Sequence, residues 1–172
     1  MIVADTGAIL ALLDADDRHH ATLRALFERD RRAWLLPWAV LPEVDYLALT
    51  HLGRPVEQAF LDDVAEGAFV IDWGVVRDLE RARELDRRYR SLQLGLVDTI
   101  VMAVAERRKA EAIATLDGRH SGAVTLHREP RLLPRDRLIR ERQAYPGLSS
   151  GAWSPAARCP DGAAPSGAGS CP

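Results

Sequence analysis

Four short apolar runs, set apart by helix-length stretches, constrain this chain more than any other feature. Ile2-Val3-Ala4, Ala33 to Leu36, Phe69 to Ile71 and Ala112 to Leu116 each have the length of a buried strand. Residues 6–13 read as a mostly apolar helix, broken by Asp14-Ala15-Asp16. A second helix is expected from Asp17 to Arg31, with Ala21, Leu23, Leu26 and Phe27 on its inner side. After Pro37 a helix is expected from Val40 to Leu52, stopped by Gly53. Pro55 suits the first turn of the next, which carries Val56, Phe60, Leu61 and Val64 and ends at Gly67. A long helix from Val75 to Arg90 places Val75, Leu79, Ala82, Leu85 and Tyr89 on one face. Beyond Gly95, a helix with Val97, Ile100, Val101 and Val104 is apolar nearly all round, which predicts burial. Strands alternating with helices imply an α/β fold whose four- to five-stranded, mostly parallel sheet is covered by helices. Ala123 to Leu126 is the expected site of the fifth strand.

The chain of 172 residues suffices for one domain with a real core. That domain is expected over residues 1–130, followed by a basic linker or terminal extension over 131–142. In residues 143–172, 22 of 30 are Ala, Gly, Pro or Ser. Such a segment buries too little to offset the entropy of ordering, so a disordered tail is expected. Cys159 and Cys171 are the only cysteines and both fall there, which argues against a disulfide framework or a zinc site. No apolar run is long enough to span a bilayer and no basic leader precedes the first strand, so a cytoplasmic protein with no membrane association is expected. A net charge of −2 excludes a global pull on nucleic acid and leaves only local patches.

Topology turns scattered acids into a cluster. Asp5 and Asp117 end apolar runs, and parallel strands end at one edge of the sheet. Glu43 and Asp98 lie early in helices, and helix starts share that edge. Taken singly, each acid also fits a capping or dipole-complementing role. Taken together they repel: two charges ~4–5 Å apart oppose each other by about 3–4 kcal/mol at an effective dielectric near ~20. No Lys or Arg stands at an obvious neutralising position within the four local motifs. Such a cluster persists with some groups protonated or with a cation bound. Oxygen ligands without Cys or paired His select a hard ion, Mg²⁺ or Mn²⁺. Water activated by such an ion attacks phosphodiesters.

The segments Asp5-Thr6-Gly7-Ala8, Leu41-Pro42-Glu43-Val44, Gly95-Leu96-Val97-Asp98-Thr99-Ile100 and Ile113-Ala114-Thr115-Leu116-Asp117 resemble the motifs of PIN-domain ribonucleases. The resemblance is greatest to the VapC toxins of type II toxin–antitoxin operons, and it covers about residues 1–130. It implies a three-layer α/β/α sandwich, Mg²⁺-dependent endoribonuclease activity, a homodimer, and inhibition by a cognate VapB-type antitoxin. Carried over by position, Asp5, Glu43, Asp98 and Asp117 match the catalytic acidic quartet. Asp5 and Asp98 are then the expected metal ligands, with Glu43 and Asp117 acting through water. Thr6 and Thr115 match positions whose hydroxyls support the site, although helix cap and strand residue describe them equally well. The chain departs from the pattern at Gly7, where many relatives carry Ser or Asn. It departs again at Ser121-Gly122, where relatives run from His120 through an aromatic residue into the last strand.

Two other function classes remain open from the residues. An early Asp after a first strand invites phosphoryl transfer through an aspartyl nucleophile, but Gly7 stands where that chemistry wants a second Asp. A non-catalytic protein with an acidic pocket for a basic partner segment is the other. The remaining signals are weak. Gly147-Leu148-Ser149-Ser150-Gly151 matches the nucleophile-elbow pattern without the strand and helix that elbow needs. His19 and His20 diverge on a helix by about 100° and cannot readily share an ion. Arg87, Arg88 and Arg90, like Arg107, Arg108 and Lys109, fit helix C-terminal charges. Arg128, Arg131 and Arg135 open a basic stretch that suits either RNA phosphates or a solvated linker. Trp34 and Trp38 flank the second strand and are expected in the core.

Overall fold

The computed structural model describes residues 1–117 and 122–135. The tail, the cysteines, His120, Ser121 and the Gly147–Gly151 motif lie outside those residues. Five parallel strands form one sheet in the order β3-β2-β1-β4-β5. They are β1 (Ile2–Ala4), β2 (Trp34–Pro37), β3 (Val70–Asp72), β4 (Ala112–Ala114) and β5 (Arg131–Leu133). Among the described residues the α-helices are α1 (Thr6–Leu13), α2 (His20–Arg29), α3 (Val40–His51), α4 (Arg54–Ala65), α5 (Val76–Arg88) and α6 (Leu96–Arg108). None of the described helices is long and apolar enough to cross a membrane.

The short strands are apolar because most are covered on both faces. In β1, Val3 and Ala4 are buried, and every residue of β2 and β4 is buried. Helix α6 lies against β1, β2 and β4, and its residues Thr99 to Ala105 are buried, as its all-round apolarity predicts. Phe27 of α2 meets Trp34 of β2 edge-on at 5.6 Å and Phe69, just before β3, at 4.9 Å. Trp34 is wholly buried; Trp38 is partly buried against the same core. Gly74 sits at φ +77, and an added Cβ there would come within 2.9 Å of Trp38 Nε1, so both backbone and packing require glycine.

The structure corrects some of these expectations and extends others. The fifth strand is Arg131–Leu133, not Ala123 to Leu126. Leu132 and Leu133 enter the core, and Thr115 N donates to Leu133 O at the join with β4. Val124 and Leu126 are buried as cover instead, while Tyr89 Oη accepts from Thr125 N. The segment read as a linker from residue 131 therefore begins inside the sheet. Helix α2 starts at His20 rather than Asp17, because Asp14 and Asp17 side chains accept from Asp16 N and His19 N and hold that stretch in turns. Helix α5 buries Ala82 and Leu85 against α6 but leaves Val75 and Leu79 half-exposed. Finally, Arg107 and Arg108 do more than complement a helix end: they pair with the buried carboxylates Asp72 and Asp78.

Candidate active site

Every strand of a parallel sheet delivers its last residue to the same edge, and there β1 hands over to α1. Asp5 is extended and caps α1, its Oδ1 accepting from Thr6 N at 2.7 Å. Its Oδ2 accepts from Thr115 Oγ1 at 2.8 Å, just beyond β4. The same Thr115 hydroxyl oxygen accepts from Asp117 N at 3.0 Å, so one side chain sets the positions of two acids. Thr6 Oγ1 donates to Glu43 Oε2 at 2.5 Å, joining the start of α1 to α3. Asp98 Oδ2 accepts from Gly95 N at 3.0 Å at the start of α6.

All four expected acids line one open cleft of about 680 Å³, together with Thr6, Gly7, Leu10, Leu47, Leu116 and Arg135. The structure thus brings together Asp5, Glu43, Asp98 and Asp117, and it gives Thr6 and Thr115 hydrogen bonds to three of them, Asp5, Glu43 and Asp117. It leaves His19 and His20 elsewhere, bonded to Arg18 and to Ala11 O. Nothing in packing demands glycine at position 7: an added Cβ would sit 3.6 Å from Leu116 Cβ, an ordinary contact.

Charge separates Asp5 from Asp72 and Glu106. Asp72 is held below the usual carboxylate range by Arg107 and Arg108, against its burial. Glu106 lies at about 2, its burial outweighed by Arg81 and His127. Asp5 is pushed up to about 6 by burial, opposed by the Thr115 and Thr6 hydrogen bonds and reinforced by repulsion from Asp98 and Glu43. A buried carboxylate pushed up by burial and by like charges, at the wall of a cleft, makes Asp5 a candidate functional residue.

The donor set suits a divalent cation that keeps part of its water. Only carboxylate and hydroxyl oxygens are offered, which favours a hard ion. Among the described residues no three acidic, His or Cys side chains close into a cage. An ion such as Mg²⁺, which binds through one or two carboxylates and retains several waters, needs no such cage.

Arg135 was not anticipated at this site. It stands two residues beyond β5 and lines the cleft, whereas the sequence offers it only as part of a basic stretch suited to RNA phosphates or to a solvated linker. The available signal was Leu132-Leu133-Pro134: two core-sized residues and a proline that can close an edge strand.

A family model described as the PIN domain matches residues 2–126. Ribonuclease VapC26 of Mycobacterium tuberculosis is 30% identical over 123 residues, which cover 72% of this chain and 91% of that protein. Among solved structures, VapC20 of Mycobacterium tuberculosis, described as a sarcin-ricin loop cleaving toxin, superposes with a TM-score of 0.66 at 23% identity, over 76% of this chain and 99% of that one. A toxin–antitoxin complex from Klebsiella pneumoniae gives 0.53 at 20% identity, over 72% of this chain and 92% of that one. FitAcB from Neisseria gonorrhoeae gives 0.54 at 15% identity, over 77% and 96%. These structures share the fold. With its acids gathered at the strand ends and its kinship to VapC26, the chain belongs to the PIN-domain family, among the VapC ribonucleases.

Proposed function

We propose that Asp5, Glu43, Asp98 and Asp117 are the catalytic acids of an endoribonuclease, the toxin of a type II toxin–antitoxin pair. The observation that carries this reading is the convergence of four carboxylates from the end of β1, α3, α6 and the end of β4 on one cleft, with Asp5 buried among them and, among the described residues, no Arg or Lys hydrogen-bonded to it. Asp5 and Asp98 would hold Mg²⁺ or Mn²⁺ directly, with Glu43 and Asp117 reaching it through water. When bound, the ion neutralises the cluster, lowers the pKa of a coordinated water and stabilises the leaving oxygen. The chain's own part is positional. Thr115 fixes Asp5 and Asp117, and Thr6 fixes Glu43. A water oxygen attacks phosphorus, the bond from phosphorus to the leaving ribose oxygen breaks, and the water's proton passes to a carboxylate of the quartet.

The test is incubation of the antitoxin-free protein with total RNA in Mg²⁺, in EDTA, and as Asp98→Asn in Mg²⁺, with sequencing of new 5′ ends. Discrete cuts in the first reaction alone are expected. Full cutting by Asp98→Asn would remove the assignment.

The raised pKa of Asp5 adds a pH signature. Asp5 must ionise to hold a cation, so kcat/KM should fall about tenfold per unit as pH drops below about 6, and higher Mg²⁺ should move that limb to lower pH. A limb that ends near the ordinary Asp value at every Mg²⁺ concentration would contradict the buried, repelled Asp5.

Partners follow from kinship and surface. The Klebsiella neighbour is a toxin–antitoxin complex, which supports a VapB-type antitoxin here. A homodimer is supported by an uncovered apolar face in which Trp73 is 75% and Val76 74% exposed, beside Val75 and Leu79. Light scattering should give twice the chain mass, falling to one chain mass for Leu79→Arg. A monomeric wild-type protein would dismiss the dimer.

A further inference from the structure

A cleft that cuts RNA while lined by four carboxylates meets a polyanion with the wrong sign of charge. A cation in the cleft offsets this at the cut phosphate but leaves the neighbouring phosphates facing acid. Among the described residues that line the cleft, Arg135 carries the only positive side chain. It is exposed, and it is carried by backbone that β5 anchors through the buried Leu132 and Leu133. Its guanidinium lies over Gly122, where an added Cβ would approach Nη1 to 3.1 Å, so glycine there leaves room for it. Arg135 also lines a second cavity of about 290 Å³ with Thr125, Leu126 and Arg131. One guanidinium therefore forms part of the wall of both spaces.

We propose that Arg135 grips an RNA phosphate beside the scissile one and leads the strand from the acidic cleft into this second cavity. The inference rests on the ribonuclease reading and deepens it by naming where the substrate runs. Arginine suits the task because its planar donors meet phosphate oxygens two at a time. A contact of this kind orients the strand without reading its bases. The second cavity is lined by apolar Leu126 and Val124, by Thr125, and by cationic Arg131 and Arg135 against a single carboxylate, Glu129, a mixed lining that an unstacked nucleotide takes.

The test uses the full chain silenced by Asp98→Asn and a fluorescent, mixed-sequence, single-stranded RNA pool. Anisotropy titrations across a range of salt compare this parent with the same protein carrying Arg135→Ala, Arg135→Gln or Arg135→Lys. Loss of one phosphate contact should weaken binding roughly three- to tenfold near ~0.1 M salt and make the slope of log K against log salt shallower by about 0.7. Arg135→Lys should restore the slope, which a merely structural role for Arg135 would not predict. Thermal melts identify any variant that fails to fold, and Arg135→Gln replaces Arg135→Ala in that event. Unchanged affinity and slope in a folded neutral variant would overturn the inference while leaving the nuclease intact. A parent that binds no RNA, together with a wild-type chain that cuts none, would overturn both.

Discussion

Asp5→Asn should abolish RNA cleavage and at the same time make the metal-free protein more stable. Cleavage should fall by at least about a thousandfold, because the variant loses a cation ligand and the charge that sets its neighbours. The stability gain follows from the sign of the pKa shift. Asp5 is raised from 3.8 to about 6, so the folded protein holds this proton more tightly than the unfolded chain. Between those two values the folded state binds the extra proton, and stability falls as pH rises through the window. Above about 6 the full penalty applies, roughly 3 kcal/mol for a rise from 3.8 to about 6. Asparagine keeps the shape without the charge. Its Oδ1 can accept from Thr6 N, and its amide can donate to Thr115 Oγ1 once that hydroxyl turns. In EDTA at pH 7.5 the variant should melt roughly 5–10 °C above wild type, and at pH 4 the two should nearly coincide. Adding Mg²⁺ should raise the melting point of wild type and leave the variant little changed. A variant that melts no higher than wild type at pH 7.5 would refute the strained-carboxylate account, and retained cleavage would refute the catalytic one.

The alternation of strand and helix was legible because periodicity is local: a three-residue apolar run and a 3.6-residue repeat each declare themselves within a few turns. The single sheet edge that gathers Asp5, Glu43, Asp98 and Asp117 follows from that alternation alone. What does not follow is which strand-end acids matter. Asp72 also ends a strand at that edge, and by position it is as good a candidate as Asp5. The difference lies in Arg107 and Arg108, 35 and 36 residues further on, whose approach to Asp72 depends on how α6 crosses the sheet. No spacing rule carries that information, and resemblance to a family separated the two acids before geometry did. Strand β5 was hidden for a different reason. Its two leucines sit in a basic stretch too short to show a period, and Ala123 to Leu126 offered a stronger apolar signal nearby. With β5 went the place of Arg135, since a basic stretch with no strand assigned to it has no predicted address in the fold.

Arg107 is the stability counterpart of Asp5, and Arg107→Met should cost about 2–4 kcal/mol without touching the cleft. Its Nε and Nη2 meet Asp78 Oδ1 and Oδ2 at 2.7 and 3.0 Å, and Nη2 reaches Asp72 Oδ1 at 2.6 Å. Both carboxylates are only 3% exposed, whereas Arg107 is 28% exposed. Removing the arginine strands charge that water cannot reach, for which losses of about 3–5 kcal/mol are typical. The lower range applies because Arg108 still bonds Asp72, Val75 N and Gly74 N still donate to Asp78 and Asp72, and the guanidinium itself was partly solvated. Melting should drop by roughly 8–15 °C at pH 7. The acid limb supplies an independent check. Asp72 is held below its ordinary value, so its contribution is complete above about 4 and fades as pH falls through the depressed value. Wild type should therefore lose stability below pH 4 more steeply than Arg107→Met. Pairing Arg107→Met with Asp78→Asn should recover a good part of the loss, a coupling that two independent surface changes would not show. Cleavage per folded molecule at 20 °C should stay within about threefold of wild type, because neither Asp72 nor Asp78 lines the acidic cleft. A single variant as stable as wild type would mean that water reaches Asp78 and that the cluster holds nothing together.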